Sequence, residues 1–528
     1  MTEQEFKEML EKKPYLKDDL FIRGFLISDD LSLKEKEELF PFYGNWNSSV
    51  FGSYLFLTHS KTTTCFYESG GSVFFIMGHA YNPFTMKHKE SDILADIAKA
   101  YGRSDYYERI NELSGVFVYG VINEDKIEFL TDASGMQSAS CGVVADKFYL
   151  ASHPQLIGDV CSLEMSDFAR ELVNYKWYRR ILGSYLPADM TPFECVKRVV
   201  SNHSYCFKDG KISHFRFWPL KDTGFAEAED DYSSVIKAGA DIVKNNMILI
   251  AKKWDNPALS LSGGIDSNTT FAAVKGSYDK YKAFSFISAE KEIRDAEAAK
   301  IIAGSFNVPF TVYNIPDNND ELEDFEEIRE ILRHNSGYIG ERYSNEVRKR
   351  IYLRRNCDCE VEVKSWASET IRAYWYKYFS KTKMPPLSAK LFRNLYKIFT
   401  VNRALAHRID RLFDEFIEEY EFRKIPDMYS PADMHYNEVG WGSWGSMNIS
   451  DMKYSHEMTV PYNNRIFYDH LLRVPLEKRI KDEHHLDMKK YLNKELYDMN
   501  IRVVNMKETK FRAKSLGFIF TVNTYLPF

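Results

Sequence analysis

The chain has 528 residues, 44% hydrophobic and 28% charged, with a formal net charge of −6 and a sequence pI near 6.2. That length predicts two to four domains, and the mild acidity provides no global field for nucleic acid or an anionic membrane. No run of 18 uncharged apolar residues occurs, so no membrane span is predicted, and residues 1–13 lack the apolar core of a signal peptide. The first ~215 residues read as mostly β. Residues 73–76, 116–121 and 147–150 are short, rich in β-branched and aromatic side chains and bounded by turn formers, and residues 123–126 suit a hairpin. Residues 91–101 carry helical periodicity, with Ile93, Leu94, Ile97 and Ala98 on one face. An acidic passage after Trp218-Pro219-Leu220, running through residues 227–231, is the predicted domain boundary.

Beyond it the pattern alternates. A helix over 232–254 leads to a strand at 257–261, then a strand at 282–287, a helix over 295–306 and a strand at 310–313. Strands separated by such helices predict a parallel sheet, whose ligands bind beyond the carboxyl ends of the strands. From Asp324 on the chain reads as almost entirely helical. Seven scattered cysteines, an odd number, predict no disulfide framework and a reduced, cytoplasmic compartment. Cys357-Asp358-Cys359 is the only close pair; with no second pair or histidine near it in sequence, it is not expected to hold a metal.

The stretch that carries chemistry is Ser262-Gly263-Gly264-Ile265-Asp266-Ser267, directly after the apolar run ending at Leu261. Two glycines let the backbone approach an anion, and the N–H groups opening the next helix point at it. Ser262 and Ser267 add hydroxyls, and Asp266 puts a carboxylate where Mg²⁺ bound to phosphates would sit. A Walker A loop is excluded by the absence of its Gly-Lys-Ser/Thr.

This loop resembles the pyrophosphate loop of the ATP pyrophosphatases, and the chain as a whole resembles the asparagine synthetase family. Residues 76–82, 113–118 and 131–135 are similar to segments of that family's glutaminase domain, and residues 295–300 and 457–462 to segments of its synthetase domain. The resemblance implies an α/β protein: an N-terminal Ntn-type αββα sandwich over 1–218, a linker over 219–231, and a parallel-sheet ATP-pyrophosphatase domain with a helical extension over 232–528. It implies ATP and Mg²⁺ as cofactors. Leu261, Ser262, Gly263, Gly264, Asp266 and Ser267, with Ile287, would bind the nucleotide, and Asp266 and Glu369 the metal. Lys507 (with Lys510 and Lys514 as rivals) would stabilise leaving pyrophosphate, and Glu457 would orient the attacking amine or take its proton; the plainer reading of Glu457 is a carboxylate paired with Arg465.

Departures from the family are equally informative. Thr2 stands where the glutaminase has its nucleophilic cysteine, and Met77 replaces the oxyanion-hole asparagine, a loss of roughly 10²–10³ in rate by itself. Ser368 replaces the second metal-ligand aspartate; either Glu369 would supply the carboxylate, or the metal site is weakened, with Asp266 alone holding Mg²⁺ through water and Arg372 and Tyr374 then neutralising phosphate. The expectation is an AMP- and pyrophosphate-forming amide ligase without glutaminase activity, similar to the β-lactam synthetases and lasso-peptide cyclases. Its substrates would be a small-molecule or peptide carboxylate and an amine. The N-terminal domain would serve as a docking surface for a partner protein or a second copy. An ammonia-dependent asparagine synthetase and a non-catalytic scaffold are the alternatives. Two further stretches stand out: a basic one over 381–411, read as an amphipathic helix or a face for an acidic substrate, and Trp441-Gly442-Ser443-Trp444-Gly445-Ser446, read as an aromatic loop over the cleft.

Overall fold

The computed structural model describes residues 3–398, 402–501, 503 and 506–525, the last helix by its backbone alone over 506–510. The protein is mixed α/β, and its described residues form three sheets, one of them parallel. Twelve strands come first: β1 (Phe25–Ser28), β2 (Trp46–Phe51), β3 (Tyr54–His59), β4 (Thr64–Ser69), β5 (Ser72–Tyr81), β6 (Ser114–Asn123), β7 (Lys126–Thr131), β8 (Ser140–Val144), β9 (Lys147–Ala151), β10 (Val196–Arg198), β11 (His203–Lys208) and β12 (Lys211–Arg216). They form two six-stranded antiparallel sheets, ordered β10-β8-β9-β1-β3-β2 and β12-β11-β7-β6-β5-β4. The hairpin at 123–126 forms as predicted, with Asn123 opposite Lys126 and Glu124 at φ 54° in the turn.

Aromatic side chains join the two sheets face to face. Phe56 of β3 meets Phe75 of β5 at 5.2 Å, and Phe148 of β9 stacks on Phe207 of β11 at 4.5 Å. Ten-residue strands buried on both faces, such as β5 and β6, need a second cover. The helix Glu90–Ala100 supplies it, burying Ile93, Leu94 and Ile97 against β4 and β5, while the helix Pro154–Cys161 packs on β8, β9 and β10. The result is a helix–sheet–sheet–helix stack. The helix Glu3–Lys12 is set outside it, with Phe6 stacked on His334 at 4.3 Å and Lys13, just beyond, paired with Asp324 and Glu327.

The third sheet holds β13 (Pro257–Ser260), β14 (Lys282–Ile287), β15 (Phe310–Asn314), β16 (Val361–Val363) and β17 (Glu457–Thr459), all parallel, in the order β15-β14-β13-β16-β17. Sequence periodicity foresees the first three strands. It misses β16 and β17, because three-residue strands carry no measurable alternation inside a region that is otherwise helical. The helices Glu229–Lys253 and Ile293–Ser305 fall within three residues of their predicted bounds.

One expectation is corrected. Residues 441–446 are not a loop: they belong to a π-helix, Tyr436–Gly445, running into the helix Ser446–Met452. The basic stretch forms two amphipathic helices, Ala389–Lys397 and Arg403–Glu419, as one of its two readings expected: Lys383, Arg403 and Arg411 stay exposed, whereas Arg393 and Lys397 are buried. Arg393 pairs with Asp410 and Arg408 with Glu171, while buried Lys397 donates to the carbonyls of Ile181 and Gly183.

One apolar core runs without interruption from the two-sheet stack into the helices around the parallel sheet. Polar side chains stitch the same boundary. Asn464 donates to the carbonyls of Glu112 and Leu113, and Asn463 to Asp132. Arg216 at the end of β12 meets Glu438 of the π-helix, both side chains 0% exposed, at 2.6 Å. Its remaining N–H groups go to the carbonyls of Tyr420 and Trp218. Removing one partner strands a buried charge, so Arg216→Met should lower unfolding free energy by about 3–5 kcal/mol. Arg216→Met with Glu438→Leu should recover much of it. Urea unfolding of wild type, single and double variants checks this; a single variant within error of wild type would mean the pair is hydrated.

Candidate active site

The parallel sheet fixes where a site can form. All five strands present their carboxyl ends on one edge, and the Ser262–Ser267 loop lies there, between β13 and the helix Ile265–Ala273. Leu261 N–H extends the ladder to Phe284 O before the chain turns. The turn is held by its own side chains. Gly264 N–H donates to Ser262 Oγ at 3.2 Å, Ser262 Oγ and Ser267 Oγ lie 2.9 Å apart, and Asn268 Nδ2 donates to Gly264 O at 2.6 Å. Gly263 N–H donates to Asp295 Oδ1 at 3.1 Å, and its carbonyl accepts from Val503 N–H at 3.0 Å. A Cβ at Gly263 would sit 2.3 Å from Val503 Cγ2, so glycine is required by close approach. The first N–H groups of the helix, Ile265 to Ser267, have no intrahelical acceptor and face the same edge.

Beside the loop lies a cleft of about 310 Å³, lined by Ser262, Gly264, Asp266 and Ser267, by Phe286 and Trp366, and by Lys364 and Glu369 among others. That volume is at the low end for a small-molecule site. Trp366 is backed by Trp441 and Trp444, ring centroids 5.5 and 6.0 Å away, delivered by the π-helix. Lys364 follows β16 directly and is the one cation in the lining among the described residues; its Nζ lies 2.5 Å from Glu362 Oε1.

The electrostatics centre on Asp266. Ser368 Oγ donates to its Oδ1 at 2.6 Å, and Arg372 pairs with its Oδ2. Arg372 also holds Asp482 through two N–H groups at 2.8 and 3.1 Å, and Lys377 pairs with Asp482 as well. Despite burial, these cations keep the Asp482 carboxyl far below its usual range, while burial and Arg372 push the Lys377 ammonium down to about 8. Glu369 has an Oε2 sealed from solvent with no hydrogen-bond partner among the described residues. Burial, and then the charge of Asp266, push its carboxyl up to about 8. An orphan carboxylate oxygen beside a second carboxylate is a donor set that suits a hard divalent cation. Asp266 and Glu369 therefore fit Mg²⁺, provided Arg372 gives way.

The sequence-predicted residues sort clearly. Leu261, Ser262, Gly264, Asp266, Ser267 and Glu369 line one cleft, with Gly263 beneath. Ile287 does not line it, whereas Phe284, Ser285 and Phe286 of the same strand do. Glu457 is a correction. It opens β17, level with Val361 and Pro257, at the amino edge of the sheet and therefore at the opposite end from the loop. Its partners are Arg23 at 3.4 Å and Lys453 at 3.5 Å, not Arg465, which is bound to Asn202 and Thr131 O. Burial alone would raise the Glu457 carboxyl, but Lys453 and Arg23 hold it at about 2. Thr2 and the side chains of Lys507 and Lys510 lie outside the described residues; Lys514 falls in the helix Met506–Tyr525. Arg372 does not face free solvent as a phosphate ligand but neutralises Asp266 and Asp482. Lys364 and Asp295 were not singled out from the sequence, although Asp295 opens the segment 295–300 that resembles the family.

Two outcomes follow from this geometry. Arg372→Gln should tighten Mg²⁺ binding in calorimetry, since it removes the cation that competes for Asp266; an unchanged affinity would place the divalent site elsewhere. For Glu457, a folded-state value of about 2 against an ordinary value of 4.5 means stabilisation present above pH 4.5 and lost as pH falls toward 2. The sum is on the order of 3 kcal/mol. Glu457→Gln should remove that component, so wild type and variant converge in stability at low pH and diverge above it. Parallel curves across the acid range would show that Glu457 carries no such linkage.

No protein-family model matches the chain, and no curated protein matches it in sequence. Among solved structures it is similar to the glutamine phosphoribosylpyrophosphate amidotransferase from B. subtilis complexed with ADP and GMP, at 10% identity and TM-score 0.23 over 57% of this chain. It spans 61% of that protein's length. It is also similar to the allosteric regulatory enzyme of purine biosynthesis, at 11% identity and TM-score 0.24, over 56% of this chain and 76% of that one. A third likeness is to the glutamine-dependent NAD+ synthetase from Acinetobacter baumannii in complex with ADP, at 14% identity and TM-score 0.15, over 46% of this chain and 57% of that one. At TM-scores this low the likeness implies neither a shared site nor a shared activity.

Proposed function

We propose that the chain is an ATP-dependent, AMP- and pyrophosphate-forming amide ligase that adenylates a carboxylate and passes it to an amine. The observation that carries this is the Ser262–Ser267 loop at the carboxyl edge of the parallel sheet, opening a helix, with Asp266 and the orphan Glu369 carboxylate beside it. In this reading residues 1–218 are an Ntn-type glutaminase remnant, 219–231 a linker and 232–528 the ATP-pyrophosphatase half. The N–H groups of Ile265 to Ser267 and the Ser262 hydroxyl hold the phosphates, and Phe286 and Trp366 flank the base. Lys364 neutralises charge as pyrophosphate leaves, in the role the sequence assigned to Lys507. Asp266 and Glu369 would hold Mg²⁺, which would supply positive charge to offset that of the phosphates. Arg372, once displaced from Asp266, remains tied to Asp482 and adds a second positive group near the loop.

Support for a silent glutaminase comes from Met77 and Gly78. The Met77 side chain is fully buried and offers no donor, and Gly78 N–H is already bonded to Thr63 O at 2.9 Å. A scaffold without catalysis is the second reading, favoured by one observation: Asp266 is already neutralised by Arg372. Calorimetry of ATP with Mg²⁺ separates the two readings.

ATP–pyrophosphate exchange against a panel of carboxylates tests the proposal. Exchange should appear with the cognate carboxylate and fall below about a tenth of wild type in Asp266→Ala and Lys364→Ala, each removing charge stabilisation of a few kcal/mol. Glutamine with ATP should yield no glutamate above a heat-killed control. Failure of wild type to bind ATP would overturn the ligase in favour of the scaffold.

A further inference from the structure

The amino edge of the parallel sheet carries a second cluster, unrelated to the phosphate loop. Cys357 and Cys359 lie just ahead of β16, and His456 just ahead of β17, the neighbouring parallel strand. Parallel pairing brings the starts of these strands side by side, which linear spacing conceals. Sγ of Cys357 and Sγ of Cys359 lie 3.5 Å apart, and a ring nitrogen of His456 joins them with all three ligand atoms within 4.8 Å of one another. Tetrahedral zinc with two thiolates and an imidazole places its ligand atoms about 3.5–3.8 Å apart, so the set needs only a small inward movement.

The histidine is the second, independent observation. Its side chain is 4% exposed, Nε2 is bound to Glu362 Oε2 at 2.7 Å, and Nδ1 is sealed without a hydrogen-bond partner among the described residues. A buried imidazole nitrogen with no partner is costly, whereas a histidine oriented by a carboxylate on one nitrogen and bound to metal through the other is the common arrangement at zinc. Cys359 and His456 also line a solvent-open cleft with Arg23, Lys253 and Glu457, which gives an ion access from solvent and leaves room for a water as fourth ligand.

We propose that Cys357, Cys359 and His456 bind one Zn²⁺, oriented by Glu362, with a fourth position open to solvent. The ion clamps the amino ends of β16 and β17, two strands too short to hold their pairing firmly by themselves. The proposal is independent of the ligase reading.

The test is metal content after zinc loading and desalting, followed by cobalt substitution. Wild type should retain about one zinc per chain, and Cys357→Ser, Cys359→Ser and His456→Gln should each fall below about a tenth of that. Cobalt should give the intense visible bands of a tetrahedral site and a near-ultraviolet thiolate charge-transfer band. Glu362→Gln should weaken zinc about 10–100-fold in chelator competition while keeping the stoichiometry. Both cysteines are partly exposed, so their serine variants remain informative even if His456→Gln misfolds. The proposal is overturned if wild type holds no zinc, if Cys357→Ser retains it in full, if the cobalt spectrum is that of an octahedral, thiolate-free site, or if protein isolated without air carries a Cys357–Cys359 disulfide.

Discussion

The polarity of the parallel sheet is the constraint on which the rest depends. Because β13 to β17 all run the same way, every residue that follows a strand arrives at one edge and every residue that precedes a strand at the other. The phosphate loop, Lys364 and Phe286 share the first edge; Glu457, His456 and the two cysteines share the second. Chemistry is thus sorted by whether a motif comes before or after its strand. Glu362, in the middle of β16, touches both sides: its Oε2 holds His456 and its Oε1 lies against Lys364.

Around Asp266 the structure balances charge internally. Two cations, Arg372 and Lys377, face Asp266, Asp482 and Glu369, and the residual strain falls on Glu369 as a raised proton affinity. A carboxylate pair beside an arginine is a switchable arrangement. The guanidinium stabilises the resting state, and a divalent cation would have to offer more than the guanidinium does.

The sequence made much of this legible, unevenly. The loop from Ser262 to Ser267 could be read because glycines and serines at a strand–helix junction have a direct backbone meaning. The long helix Glu229–Lys253 and the hairpin at Glu124 followed from periodicity and turn chemistry. What escaped was whatever depends on pairing between distant segments. β16 and β17 are three residues each, so their edge assignment, and with it the position of Glu457, emerges only from the sheet. The same holds for His456, far from the Cys357–Cys359 pair in sequence and adjacent to it only because two short strands pair. The inward turn of Arg393 and Lys397 was likewise invisible, since a cation at a helical position looks the same whether water or a buried partner receives it.

The π-helix Tyr436–Gly445 has a consequence for how this region tolerates change in length. In a π-helix each N–H reaches one residue further back than in an α-helix, so the segment behaves as though extra residues had been accommodated without breaking the rod. Each residue added or removed from a helix turns all later side chains by about 100°. A single deletion between Tyr436 and Gly445 would swing the aromatic ring of Trp444 away from Trp366 and carry Glu438 or Trp441 out of register with Arg216 and the cleft wall. Point substitution in this stretch is a question of packing; insertion or deletion is a question of phase. With eight of its ten residues buried, the segment is constrained in both.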